Sequence, residues 1–131
     1  MPHVTFTVHG KPVGQGSMRH VGGGRLIHSK ELTAWRETVV KALQAEDIDM
    51  ITGPVRVSMQ FTIPMLKTPT HQLPITRSSY DLDKQVRAIG DALTIARVIE
   101  DDSRITDLMA SKRYGEQPGV TIHVWSIDND R

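Results

Sequence analysis

The sequence predicts an α+β fold, a single-layer mixed sheet with two helices packed on one face. Three observations carry this. Residues 55–63 alternate apolar and polar side chains, the mark of a strand with one face buried. Leu32, Trp35, Val39 and Leu43 recur at helical spacing, as do Val86, Ile89, Leu93 and Ala96. The resulting order is strand, helix, strand, loop, helix, strand, strand, which suits a sheet covered by helices.

The elements follow in chain order. Val4, Phe6 and Val8 alternate with threonines, so residues 4–8 read as a half-buried strand. Residues 10–24 read as a long glycine-rich loop carrying basic residues, and glycine allows main chain to approach a phosphate backbone closely. Ser29 is a candidate N-cap for a helix over 30–45, with Trp35 as a core anchor. Gly53-Pro54 breaks the chain before the strand at 55–63. Residues 64–80 hold three prolines, three threonines and two serines without periodicity, a loop long for a compact domain. It ends at an acidic cluster. A second helix is expected over 83–97, where Gly90 costs about 1 kcal/mol relative to alanine. Strands are expected near 105–112 and 120–127, with a frayed end at 128–131. No repeat or linker divides the chain, so residues 1–131 read as one domain.

Composition narrows the function classes. The chain has 131 residues, 38% hydrophobic and 24% charged, which excludes a disordered tail. No apolar run approaches the roughly 20 residues of a membrane span. The first residues lack a secretory pattern. With no cysteine, disulfides, thiolate catalysis and cysteine-bound metals are excluded. A soluble intracellular protein without a small-molecule cofactor is expected.

The net charge of +1 conceals an uneven distribution. Residues 1–30 carry Lys11, Arg19, Arg25 and Lys30 and no acid. Residues 50–80 carry Arg56, Lys67 and Arg77 and again no acid. Residues 81–107 concentrate Asp81, Asp83, Asp91, Glu100, Asp101, Asp102 and Asp107. Such a block suits a cation site that handles a polyanion; ordinary scatter over helix surfaces is the alternative.

Asp81 and Asp83 stand at the loop-to-helix junction, where i and i+2 point the same way if the backbone is extended. Asp102 follows the same helix. That helix spans roughly 21 Å, so Asp102 returns to the first two acids only if residues 98–102 double back. Converging carboxylates repel one another without a cation, and hard oxygen ligands suit Mg²⁺ or Mn²⁺. Asp83, Arg87 and Asp91 share one helix face, so Arg87 could reach a phosphate or form an i,i+4 pair. Helix N-terminal charges and turn residues would produce the same acids.

The stretch from Tyr80 to Leu93, with Asp81-Leu82-Asp83 and Asp91-Ala92-Leu93, followed by Val98-Ile99-Glu100-Asp101-Asp102, resembles the RusA-type Holliday junction resolvases. Their signature is D-x-D-N-x-x-K, then D-A-L, then a hydrophobic pair and D-D. Gly10-Lys11-Pro12-Val13 and the segment from Lys112 to Val124 are also similar to that family. Two departures stand out: the family asparagine is Lys84 here and the family lysine is Arg87. Arginine keeps the charge without the compact ammonium geometry.

The resemblance implies a homodimeric, Mg²⁺- or Mn²⁺-dependent endonuclease that cuts two opposed strands of a four-way DNA junction. It implies Asp81, Asp83 and Asp102 as metal-holding catalytic acids, assisted by Arg87 or Lys84. Asp91 and Asp101 stand as additional carboxylates. Lys11, Arg19, Arg25, Lys30, Lys67, Arg77, Lys112 and Arg113 are candidates for phosphate contacts, which release counterions on binding. A cut on two strands requires two sites related by a two-fold axis, which a C2 dimer supplies. A cytoplasmic bacterial or phage-encoded enzyme is implied. The departures at Lys84 and Arg87 leave a second reading, a junction-binding protein that kept the fold and lost turnover.

Overall fold

The computed structural model describes residues 3–15, 18–21, 25–28 and 30–127. The strands are β1 (His3–His9), β2 (Met18–Val21), β3 (Arg25–His28), β4 (Val55–Pro64), β5 (Ile105–Gly115) and β6 (Gly119–Ser126). The helices are α1 (Lys30–Ala45) and α2 (Leu82–Ile95), with short 3-10 turns at Arg77–Ser79 and Asp102–Arg104. Four strands form one sheet in the order β1-β6-β4-β5, and β2 pairs only with β3. The sheet is mixed, because β4 and β5 run parallel while β6 is antiparallel to both β1 and β4. A parallel pair needs a crossover, and the chain that carries α2 supplies it.

The alternation in β4 does what the sequence expects of it. Val55, Val57, Met59, Phe61 and Ile63 are all buried. Their lateral neighbours continue the apolar face in rows such as Phe6–Ile122–Met59–Ala110 and Val8–Val120–Phe61–Lys112. Leu32, Trp35, Val39 and Leu43 of α1, and Ala88, Ile89, Ala92 and Leu93 of α2, complete that core. The opposite face carries exposed Thr5, Arg56 and Gln60. The mixed sheet with two helices is thus the predicted architecture. No helix among the described residues is long and apolar enough to cross a membrane.

Two local readings change. The expected loop at 10–24 contains β2, which pairs with β3 just beyond it in a hairpin, in register from Met18↔His28 to Val21↔Arg25. A two-stranded ribbon satisfies its own backbone groups without an apolar stripe, so periodicity does not reveal it. Ser29, Gly22–Gly24 and residues 128–131 lie outside the described residues.

The second change is the end of α2, at Ile95 rather than 97. Arg97 adopts φ +63°, its N–H donates to the Thr94 carbonyl, and the Val98 N–H donates to the Leu93 carbonyl. These paired bonds around a left-handed residue form a Schellman cap. The cap turns the chain back, and Ile99 bridges Ile51 in parallel. An L-residue in this conformation costs about 1–2 kcal/mol, which glycine avoids at some entropic cost. Arg97→Gly should therefore raise stability by about 0.5–1 kcal/mol in urea unfolding, the balance of those two effects; an unchanged or lower midpoint would contradict it.

Candidate active site

The long loop delivers the chain to α2 through one strained residue. Tyr80 has φ 65° and ψ 160°, a region nearly reserved for glycine that costs on the order of 1–3 kcal/mol. Several contacts hold it there. The Lys112 ammonium donates to the Tyr80 carbonyl at 2.7 Å and to the Ser79 hydroxyl at 3.0 Å. Fully buried Gln85 donates from Nε2 to the Ser79 carbonyl at 2.7 Å. The Tyr80 hydroxyl donates to Glu31 of α1 at 2.9 Å. Burial, and then the neighbouring Glu31 carboxylate, raise the Tyr80 pKa, so the phenol remains a donor. The N-terminal segment closes the other side: the Gln15 N–H donates to the Lys84 carbonyl at 2.8 Å. Gly14 packs closely there: an added Cβ would lie 3.0 Å from Lys84 Cβ and 3.2 Å from Tyr80 Cβ, so a side chain would make those neighbours shift.

This strap presents Asp81 and Asp83 at the start of α2. Asp81 occupies the N-cap position in extended conformation, yet its carboxylate makes no capping hydrogen bond. Its side chain is 70% exposed, and Lys84 Nζ lies 3.4 Å away. Asp83 is exposed in the first turn. An N-terminal helix end favours negative charge, whether from carboxylates or from an approaching phosphate. Arg87 is exposed one turn beyond Asp83.

The remaining acids separate by role. Asp102 packs beside α2, its Cβ 3.8 Å from where a Gly90 Cβ would stand. Gly90 is seven residues beyond Asp83, so it shares that helix face but lies roughly 10 Å along the axis. The chain does double back after α2, but only as far as Gly90. Among the described residues, no three His, Cys, Asp or Glu side chains gather closely enough to hold one ion. Asp81, Asp83 and Asp102 are not such a group: the first two stand two residues apart at the start of α2, and the third packs by Gly90. Asp101 accepts the Ser103 N–H at 2.9 Å and so caps the second 3-10 turn; hydrogen bonding from the Ser103 side chain first, and then from its N–H, lowers the Asp101 carboxyl pKa. Asp91 faces α1, 3.7 Å from Arg36. Glu100 accepts the Gly53 N–H at 2.6 Å.

Lys112 is placed differently from a surface cation. It occupies the core-facing row of β5, level with Phe61. Burial lowers its pKa, and nearby Asp81 opposes that shift. The signal was present in β5: Leu108, Ala110, Lys112 and Tyr114 share one side of the strand. Gln85 was missed because a glutamine on a helix gives no sign that it is buried.

Of the other basic candidates, Lys30 begins α1 beside Glu31, the Tyr80 partner, while Lys11 and the 3-10 turn after Arg77 line one small cleft of about 100 Å³. Lys11, Lys30 and Arg77 are exposed. Lys67 is exposed in the long loop, and exposed Arg113 donates to the Lys112 carbonyl at 2.8 Å. Arg19 and Arg25 lie on the hairpin strands, and their side chains are outside the described residues.

The donor chemistry at the start of α2 suits Mg²⁺ or Mn²⁺. Such ions are commonly bound by one or two carboxylates together with substrate phosphates and water, and the exposed carboxylates of Asp81 and Asp83 are donors of that kind.

Two comparisons bear on the chain as a whole. A family model described as Endodeoxyribonuclease RusA matches residues 9–125. The Bacillus subtilis (strain 168) protein described as "Uncharacterized protein YqaN" is 29% identical over 143 residues, covering 97% of this chain and 99% of its own length.

Proposed function

Since the chain belongs to the RusA endodeoxyribonuclease family, we propose that it resolves Holliday junctions: a homodimer that makes paired, symmetric cuts in four-way DNA with the help of a divalent metal. The observation that carries the reading is the acid pair at the start of α2, freed from capping and backed by the strained Tyr80 strap. Asp81 and Asp83 would hold Mg²⁺ or Mn²⁺, which when bound polarises a phosphodiester and lowers the pKa of a coordinated water.

The chain's own residues account for the rest. Asp102, further along the same helix face, is placed to orient a water or a sugar–phosphate group beside the pair. Arg87, between them in sequence, offers a permanent charge to a phosphate oxygen. Lys84, beside Asp81, sets the local charge that incoming DNA meets. Exposed Lys11, Lys30 and Arg77 would contact phosphates, which would make binding fall steeply with salt. Such a substrate would put the protein in the cytoplasm, encoded by a bacterium or a phage.

The test is incubation of the purified protein with an end-labelled four-way junction and a linear duplex, with and without Mg²⁺ or Mn²⁺. Symmetric nicks on the junction alone, dependent on metal, are expected. A second reading is favoured by the separation of Asp102 from the pair: a junction-binding protein without turnover. Tight, junction-selective binding with no product under any divalent ion would establish it instead.

A further inference from the structure

We propose that His3, Thr5 and His123, on the sheet face away from the helices, form a binding site for a borderline divalent transition ion such as Zn²⁺ or Ni²⁺. The sheet register creates it. His3 pairs with Trp125, and Thr5 pairs with His123, so on this face the four side chains form two adjacent cross-strand pairs. His3 Nε2 lies 3.3 Å from His123 Nδ1. Thr5 Oγ1 lies 3.1 Å from His123 Nδ1 and 3.4 Å from His3 Nε2. Three donor atoms thus mark a nearly equilateral triangle. Bonds of about 2.0–2.1 Å in a tetrahedral site separate neighbouring ligand atoms by roughly 3.3–3.4 Å. The triangle therefore has the dimensions of one face of such a site.

The rings are also braced. His3 stacks on Trp125 with centroids 4.7 Å apart and planes within 5°. His123 lies 5.5 Å from Trp125 at 14°, and 5.5 Å from His3 at 18°. Bracing of this kind reduces the ordering cost of binding. The nearby charges are already matched: Arg56, level with Trp125, pairs with Asp107 at 3.3 Å. Imidazole nitrogen selects Zn²⁺, Ni²⁺ or Cu²⁺ over Mg²⁺, so this site and the acid pair would discriminate between ions. With two imidazoles and one hydroxyl, at least one coordination position faces solvent. The inference does not depend on the nuclease reading.

Trp125 provides the readout. Untagged protein titrated with Ni²⁺ should show saturable quenching of Trp125 fluorescence, while buried Trp35 stays bright and Mg²⁺ has no effect. His3→Gln and His123→Gln should each weaken the Ni²⁺ response, and Zn²⁺ binding by calorimetry, about tenfold or more, because losing a ligand costs at least what losing its outer-shell support costs. His71→Gln, in the long loop, should bind as the unmodified protein does. Absence of saturable binding, or unchanged affinity in both His3→Gln and His123→Gln, would overturn the proposal.

Discussion

Asp83→Asn should leave a protein that still binds four-way junctions but cuts them at least about a hundredfold more slowly, the loss typical of removing one transition-state contact. The substitution keeps size and removes one negative charge from the face that meets DNA. Junction affinity should therefore hold or rise. Stability should fall by no more than about 1 kcal/mol, because an exposed first-turn acid gains only its interaction with the helix dipole. Gel-shift binding, a cleavage time course and urea unfolding of the same preparation separate the three quantities. Cleavage at the unmodified rate would remove Asp83 from the chemistry. Asp81→Asn should behave alike, with the Lys84 ammonium then lacking its partner 3.4 Å away. Asp102→Asn tests the third acid: a smaller loss than at Asp83 would match its position by Gly90.

Lys112→Met should be the most destructive change outside the acids. It removes the ammonium from the Tyr80 carbonyl and the Ser79 hydroxyl while keeping an apolar stem in the core-facing row. Hydrogen bonds to charged groups contribute about 1.5–3 kcal/mol, and a stability loss of that size is expected. Cleavage should fall further than stability explains, because Tyr80 sets the backbone that aims Asp81. Strain makes this distinguishable from simple loss of packing. Glycine accepts the Tyr80 conformation at little cost, although Tyr80→Gly also forfeits the hydrogen bond to Glu31. In a double-mutant cycle, Lys112→Met should cost less in the Tyr80→Gly background, with a coupling of at least about 0.5 kcal/mol. Strict additivity would show that Lys112 does not hold Tyr80 in place.

What could be read from the sequence depended on how physics writes itself there. β4 was legible because one buried face imposes strict alternation on Val55 through Ile63. Helix α1 was legible because Leu32, Trp35, Val39 and Leu43 all face the core. The β2–β3 hairpin was not, since backbone pairing asks little of side chains. The return of residues 98–102 depended on a left-handed turn at Arg97, and arginine does not advertise that conformation as glycine does. The position of Asp102 was thus hidden with it. The inward placement of Lys112 was legible only in strand phase, since its neighbours at two-residue spacing share the inner face, whereas its charge alone suggests a surface residue. The place of Asp81 and Asp83 at a helix start was legible because it depends only on the local sequence.

The lysine strap also has a temporal consequence. The amine that pins residue 80 belongs to residue 112, on the edge strand that pairs in parallel with β4. A ribosome-bound chain that has not yet released β5, or a fragment cut before it, has both aspartates but lacks the ammonium that pins the residue before them. If the acids cut DNA, that ability arises only once β5 has been made and has paired with β4, and chains that stop short of it would be harmless to the genome that encodes them.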